Sequence, residues 1–159
     1  MSTAVAPIPP IPPMPPLVAA TVTDQADVEA LVAAAGLTLL GLDACVGGGT
    51  VVVCRERDGC LLGTAATERF GPVAFLRSVA VQVPARGRGL GRALVERALA
   101  DARAAGAREA WLLTESAEPF FAGLGWTRAD RADAPAAVAA SVEFTTACPT
   151  TAIAMRRRL

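Results

Sequence analysis

The spacing of apolar positions divides this chain into stretches with a period of two and stretches with a period near 3.6. Ala19–Thr23 alternates as a short strand. Thr23 or Asp24 then caps a helix over Asp24–Ala35, with Val28, Leu31 and Val32 on one face and Gly36 as its stop. Residues 37–49 carry no period and close in Gly47-Gly48-Gly49, a turn with no helix signal behind it. Thr50–Glu56 and Cys60–Glu68 read as a hairpin around Asp58-Gly59, a strong turn dipeptide. Gly71-Pro72 turns the chain again into a strand over Ala74–Val83.

The clearest helix runs over Gly89–Ala105, where Leu90, Leu94, Val95, Ala98, Leu99 and Ala102 share one side and Gly106 ends the run. Ala110–Thr114 follows as a strand, Glu118–Leu124 as a short helix and Trp126–Asp130 as a strand. Pro135–Phe144 has a helical pattern, and Thr151–Arg156 is a last strand. This order predicts an α/β domain on a mixed sheet, without internal repeats. Residues 1–16 hold seven of the twelve prolines. They form an extended tail, because proline lacks an N–H donor and fixes φ. Residues 17–159 are then a single domain.

Composition narrows the chemistry. Apolar residues make up 53% of the chain, enough for a real core. No run approaches the roughly 18 apolar residues of a membrane helix. No basic residue precedes Arg55, so the chain start lacks the charged region of a secretory signal. These features predict a cytoplasmic protein with neither a membrane nor a nucleic acid as partner, since the formal net charge is zero. The chain has no His, Tyr or Lys. That excludes a serine–histidine triad, a histidine metal site and a lysine Schiff base. Proton transfer falls to Asp, Glu, Cys, Ser, Thr, water or the backbone. Cys45, Cys54, Cys60 and Cys148 have no C-x-x-C spacing, so no metal site is expected. Cys54 and Cys60 flank the hairpin turn and face each other in the simplest pairing, and Cys45, Cys54 and Cys60 read as small buried apolar residues.

The densest signal is Arg86-Gly-Arg-Gly89-Leu-Gly91-Arg92, between a strand and a helix. A helix start leaves backbone N–H groups unpaired and carries partial positive charge, which suits a phosphate. Glycine permits close approach. The glycine spacing fits a Rossmann fingerprint poorly, and a Walker loop needs the lysine this chain lacks.

Taken with its context, Val79-Ala-Val81-Gln-Val83-Pro84-Ala-Arg86-Gly-Arg-Gly89-Leu-Gly91 resembles the signature of the GCN5-related N-acetyltransferase (GNAT) family. Ala117-Glu-Pro-Phe-Phe121-Ala-Gly-Leu-Gly125-Trp126 resembles that family's short helix and its Gly-aromatic ending. Leu112-Leu113-Thr114, Phe120-Phe121 and Cys148-Pro149-Thr-Thr-Ala152 with Met155 are similar to the second type of N-acetyltransferase from arsenic-resistance operons. Some of these pieces also resemble the acetyltransferase domain of N-acetylglutamate synthases.

The resemblance implies a mainly antiparallel central sheet flanked by helices, acetyl-CoA as co-substrate and a small-molecule amine as acceptor, in a monomer or homodimer. An amino acid or an amino-acid-like arsenical is the implied acceptor. By the same resemblance, the main chain of Val81, Gln82 and Val83 holds the pantetheine arm, and the N–H groups of Arg86, Gly87, Arg88, Gly89, Leu90 and Gly91 hold the diphosphate. Arg86, Arg88 and Arg92 add charge. Phe121 stands where many members have a tyrosine that protonates the leaving thiolate, and it can only pack. Glu115, with Ser116, is the first choice for the catalytic proton transfers. Arg77, Ser78, Thr114 and Cys148 are candidates for the acceptor pocket. Strand alternation puts Arg77 and Val79 on the same face. The competing function is a CoA or acyl-CoA sensor without turnover; a protein-acetylating enzyme is third.

Overall fold

The structure, a computed structural model, describes residues 12–48 and 50–159. Most of the proline-rich tail, and Gly49 of the triple-glycine turn, lie outside the described residues. The strands are β1 (Leu17–Ala19), β2 (Val51–Arg55), β3 (Leu61–Phe70), β4 (Val73–Val81), β5 (Glu109–Thr114), β6 (Thr127–Ala129) and β7 (Ile153–Arg158). They form a seven-stranded sheet in the order β1-β2-β3-β4-β5-β7-β6. Every pairing is antiparallel except that of β4 with β5, which is parallel and needs a crossover. The helices are α1 (Gln25–Ala34), α2 (Leu42–Gly47), α3 (Leu90–Ala104), α4 (Glu118–Ala122) and α5 (Ala136–Ala139). This is the mixed, mainly antiparallel α/β architecture expected.

Helix α3 supplies the crossover, and its six expected core positions are all buried. They pack on one face of the sheet with Val52, Ala65, Ala74, Leu76 and Leu112. Two clusters cover the other face. Val28, Val32, Leu42 and Val46 of α1 and α2 lie with Val51, Val53 and Ala66. Val138 and Phe144 lie with Phe75, Trp111 and Ala154. With both faces covered, β4 is buried without a break from Val73 to Ser78, and Val73 to Leu76 read as an unbroken apolar run.

Several elements depart from the sequence expectation. The first strand sits earlier, because Thr21 and Asp24 form a capping box that turns Val22–Asp24 into a 3-10 helix. Residues 37–49, read as a connection, contain α2. Its buried Leu42, Cys45 and Val46 are too few to reveal a period. The helical pattern over Pro135–Phe144 splits into α5 and a π-helical turn, Glu143–Ala147, with the Thr145 hydroxyl donating to Ser141 O. Cys54 faces Gly63, not Cys60, because the hairpin register shifts at Arg55. Cys60 is exposed, while Cys45 and Cys54 are buried; all four thiols are free.

The largest departure lies in β4. Thr64 pairs with Ala80, and Ala66 pairs with Arg77. Ala65 alone therefore faces two residues, Ser78 and Val79. This is a β-bulge, and Ser78 adopts φ 53°, unusual for a residue with a side chain. The extra residue reverses the alternation. Val79 and Val81 pack on the α3 side, whereas Arg77 shares the opposite face with Phe75 and Ala66. The expectation that Arg77 and Val79 share a face fails for this reason.

Gly63 faces the bulged strand at Val81. A Cβ placed there would come within 2.6 Å of Leu94 Cδ1 and 3.2 Å of Ala80 O, so α3 sits on the sheet only because this position has no side chain. Gly63→Val should lower unfolding stability by about 1–3 kcal/mol, the usual cost of overpacking, measured by urea denaturation. Unchanged stability would show that α3 can shift freely.

Candidate active site

The site begins where the parallel pairing ends. β4 and β5 pair only at Val73–Glu109, Ala74–Ala110 and Phe75–Trp111. Beyond those pairs β4 runs on to Val81 and β5 to Thr114, and the two strands separate. A cleft of about 730 Å³ opens between them. Its walls include Leu76 to Val81 of β4, Leu112 to Thr114 of β5, Gly87 and Gly89 to Arg92, and Glu143 and Cys148.

Past β4 the chain makes a 3-10 turn, Val83–Ala85, and then two glycine-dependent bends at Gly87 (φ 77°) and Gly89 (φ 82°). Both φ values favour glycine. The N–H of Ala85 donates to Gln82 O, and that of Arg86 to Val83 O. From Gly87 to Arg92, no N–H donates to an acceptor among the described residues; the next one, of Ala93, reaches Gly89 O. Six consecutive amides therefore point away from internal partners at the N-terminus of a 15-residue helix. That terminus carries partial positive charge. The donor set suits an anion with several oxygens.

The amide of Arg86, assigned to the diphosphate on sequence grounds, is instead used by the turn. Its guanidinium donates to Val81 O at 3.0 Å. Gln82 also departs, since its N–H pairs with Leu62 O and its side chain donates to Leu61 O. Gln82 and Val83 border a separate groove against α1. Arg88 is exposed and is not part of the cleft wall.

Farther back along β4 the cleft has a different character. Arg77 is buried, and each of its three guanidinium nitrogens has a protein acceptor. Nε reaches Ser78 Oγ at 3.3 Å and Nη1 reaches Glu68 Oε1 at 2.6 Å, while Nη2 donates to Leu40 O at 2.5 Å. Glu143 Oε1 lies 2.7 Å from the same Nη1 but receives no hydrogen bond. Its other oxygen accepts the Cys148 thiol at 3.2 Å. Burial pushes the Glu143 carboxyl above the usual carboxylate range, against the pull of Arg77. Burial, reinforced by the bond to Glu143, pushes the Cys148 thiol up to about 12. Burial, with Glu68 nearby, pushes Cys45 up to about 11. Both are thiols, not thiolates, at neutral pH.

Arg77, Ser78, Thr114, Glu115, Ser116, Cys148 and Phe121 all border this cleft. Thr114 is nearly buried and its hydroxyl accepts the N–H of Ala117, starting α4. Glu115 and Ser116 are exposed at the rim. Phe121 is buried, edge-on to Phe120 and Trp126. Sequence reasoning missed Phe120, which lies beside Gly91, and Leu37 and Thr38, from the loop after α1. It also missed Glu143. One signal pointed there: Glu143 is the only charged residue between Asp133 and Arg156.

Residues 28–126 match the model of the acetyltransferase (GNAT) family. The chain belongs to that family. It is therefore an acyltransferase, and acetyl-CoA is its co-substrate. The six free amides and the separated strands fit the diphosphate and the amide-rich arm of such a molecule. No curated protein sequence matches the chain.

Among solved structures, the chain is similar to N-acetylglutamate synthase from Neisseria gonorrhoeae, complexed with coenzyme A and N-acetyl-glutamate. The TM-score is 0.78 at 21% identity, over 91% of this chain and 35% of the synthase, so the chain spans about a third of that protein. Rv2747 from Mycobacterium tuberculosis, in complex with CoA and NLQ, gives 0.76 at 24% identity over 91% of this chain and 99% of its own. A GNAT-family acetyltransferase from Staphylococcus aureus gives 0.74 at 11% identity, over 91% of this chain and 98% of its own. These identities speak for the fold. No helix among the described residues is long and apolar enough to cross a membrane.

The thiol environments predict an order of alkylation. With iodoacetamide at pH 8, exposed Cys60 should be modified first, and Cys45 and Cys148 should stay unmodified while the protein is folded. Peptide mapping by mass spectrometry reads the order. Early labelling of Cys148 would contradict its protonated state.

Proposed function

We propose that this GNAT acyltransferase moves the acetyl group of acetyl-CoA to the amine of a small molecule, acting in the cytoplasm. The observation that carries this reading is the cleft itself, with unpaired helix-start amides continuing into an unpaired strand edge. The amides of Gly87 to Arg92 cradle the diphosphate, with charge from Arg86 and Arg92. The edge of β4 that faces the cleft holds the pantetheine arm as an added strand holds its partner, once the Arg86 guanidinium releases Val81 O. The acceptor lies farther back, among Arg77, Ser78, Thr114, Cys148 and Glu143. Its amine, once deprotonated, attacks the thioester carbonyl directly, and strand-edge amides steady the oxyanion. Proton removal falls to a carboxylate there, Glu115 at the rim or Glu143 within.

The acceptor class we favour is an amino acid or an amino-acid-like compound, including an arsenical. The N-acetylglutamate synthase to which the chain is similar, complexed with coenzyme A and N-acetyl-glutamate, supports the small size of the acceptor. A carboxylate on that acceptor would compete with Glu68 and Glu143 for Arg77. Trivalent arsenic held by a Cys148 thiolate finds little support, since that sulfur keeps its proton.

Acetyl-CoA at one hundred times its dissociation constant should stabilise the fold by about 2.7 kcal/mol, seen as a rise in Tm. Gly89→Val should weaken acetyl-CoA binding at least about tenfold in calorimetry, since φ 82° resists a β-branched side chain and the amides would turn away. A flat thermal titration of the wild type would overturn the cofactor assignment. Acetyl-CoA binding with no thiol release in the presence of any amine would favour a sensor over an enzyme.

A further inference from the structure

The cleft contains one buried ionisable group that the acetyl-CoA cradle does not use. Glu143 is 3% exposed. One of its oxygens receives no hydrogen bond among the described residues. Burying a carboxylate oxygen without a donor is costly, and Arg77 only partly offsets it because Glu68 already holds the same nitrogen. Two carboxylates share one guanidinium, so the cluster carries an excess negative charge when both are ionised. A cation with N–H donors would complete it. The acceptor ammonium is such a group, and Arg77 and Glu143 of this cluster line the cleft.

The fold holds Glu143 in place with unusual care. The guanidinium of Arg131 stacks 5.0 Å from the centre of the Phe144 ring and donates to Phe144 O at 2.9 Å. Phe144 meets Phe75 of β4 edge-on at 5.8 Å. The residue before it on the turn is therefore anchored from both sides. Cys148 closes the turn and donates to Oε2, which leaves Oε1 as the oxygen with spare acceptor capacity.

We propose that Glu143 binds the ammonium group of the acceptor and takes its proton, so that Glu143, not Glu115, is the general base of the acetyl transfer. This rests on the acetyltransferase reading above. The ammonium gives one proton to Glu143. The freed nitrogen lone pair forms the C–N bond at the thioester carbonyl. As the C–S bond breaks, its electron pair leaves on the CoA sulfur. The nitrogen releases a second proton, which the sulfur takes. Glu143 returns its proton to solvent through the cleft mouth. The balance is ammonium plus thioester to amide, thiol and one proton.

The groups facing Glu143 are Arg77 and Glu68 on β4 and β3, Cys45 on α2, and Cys148 at the end of its own turn. Glu115 and Arg131 act on Cys148 rather than on Glu143. Burial raises Glu143 toward the pH range where a base is effective, and the Cys148 thiol opposes that rise. The sign follows. Activity should be low where Glu143 is protonated and rise as it ionises. Removing the thiol should move that rise to higher pH.

The test follows loss of thioester absorbance from acetyl-CoA, with the common amino acids and n-alkylamines as acceptor probes, across pH. Glu143→Gln should lower kcat by about 10²-fold or more and abolish the acidic limb of kcat/KM, with acetyl-CoA affinity kept within about threefold. Cys148→Ala should shift the limb upward in pH, and Glu115→Gln should retain it. If Glu143→Gln weakens acetyl-CoA binding or Tm, Glu143→Ala with added formate gives the second reading, and recovered turnover supports the base. A Glu143→Gln enzyme that keeps rate and limb overturns the proposal while leaving the acetyltransferase reading intact. Wild-type enzyme inert toward every probe, despite binding acetyl-CoA, overturns both.

Discussion

Everything that makes this sheet a site depends on one extra residue in β4. An unbroken strand would stay in register with β3 and could continue its parallel pairing with β5. The bulge at Ser78 and Val79 bends β4 and ends that pairing after three residue pairs. The two strands then diverge, and amides that a sheet would normally use remain free. Such a defect has a cost, visible in the φ of 53° at Ser78. The surrounding core offsets it, since β4 is packed on both faces along this stretch. The same bulge turns Val79 and Val81 to the α3 side, while Arg77, in step with Phe75, stays on the opposite face, where it meets Glu68 and Glu143.

The cluster around Arg77 is built from three distant parts of the chain. Glu68 comes from β3, Leu40 from the loop before α2, and Glu143 from the turn after α5. The guanidinium therefore gathers the loop, the sheet and the C-terminal segment at one point. Arginine suits this position because its planar fork donates to several oxygens at once and stays charged when buried. Once so occupied it has little left for a bound carboxylate. Its role shifts from a binding group to one that sets the charge state of Glu143.

The parts of this fold with strong local signals were legible in the sequence. Helix α3 has six core residues at helical spacing, and the Asp58-Gly59 turn is chemically distinctive, so both needed no tertiary information. The phosphate turn was legible for a similar reason, since glycine placement there reflects backbone conformation directly. Features set by contacts between distant residues were not. Helix α2 is a single short run whose three buried residues make sense only against α1 and β3. The bulge leaves no mark in the residues 78 and 79, and its consequence for Val79 follows from pairing with β3. Glu143 was hidden inside an apparently helical run. Its isolation among uncharged residues was informative, but only the fold reveals that it meets Arg77.

Zero net charge conceals a strongly divided cleft. Between Val73 and Val95 the chain holds four arginines and no acid, and three of the four lie in the glycine turn. Around Arg77 two carboxylates outnumber their single partner. One region attracts an anion, and the other attracts a cation. In a cleft walled largely by apolar residues these fields are screened less than on an open surface. The diphosphate of the acyl donor and the ammonium of an acceptor are thus drawn to different positions along the same strand. Four steps along β4 take the chain from Arg77 to Val81, at most about 13 Å, the scale over which a pantetheine arm reaches from its phosphates toward its thioester. Electrostatics alone would then orient the two reactants with their reacting groups toward each other before any contact specific to the acceptor is made.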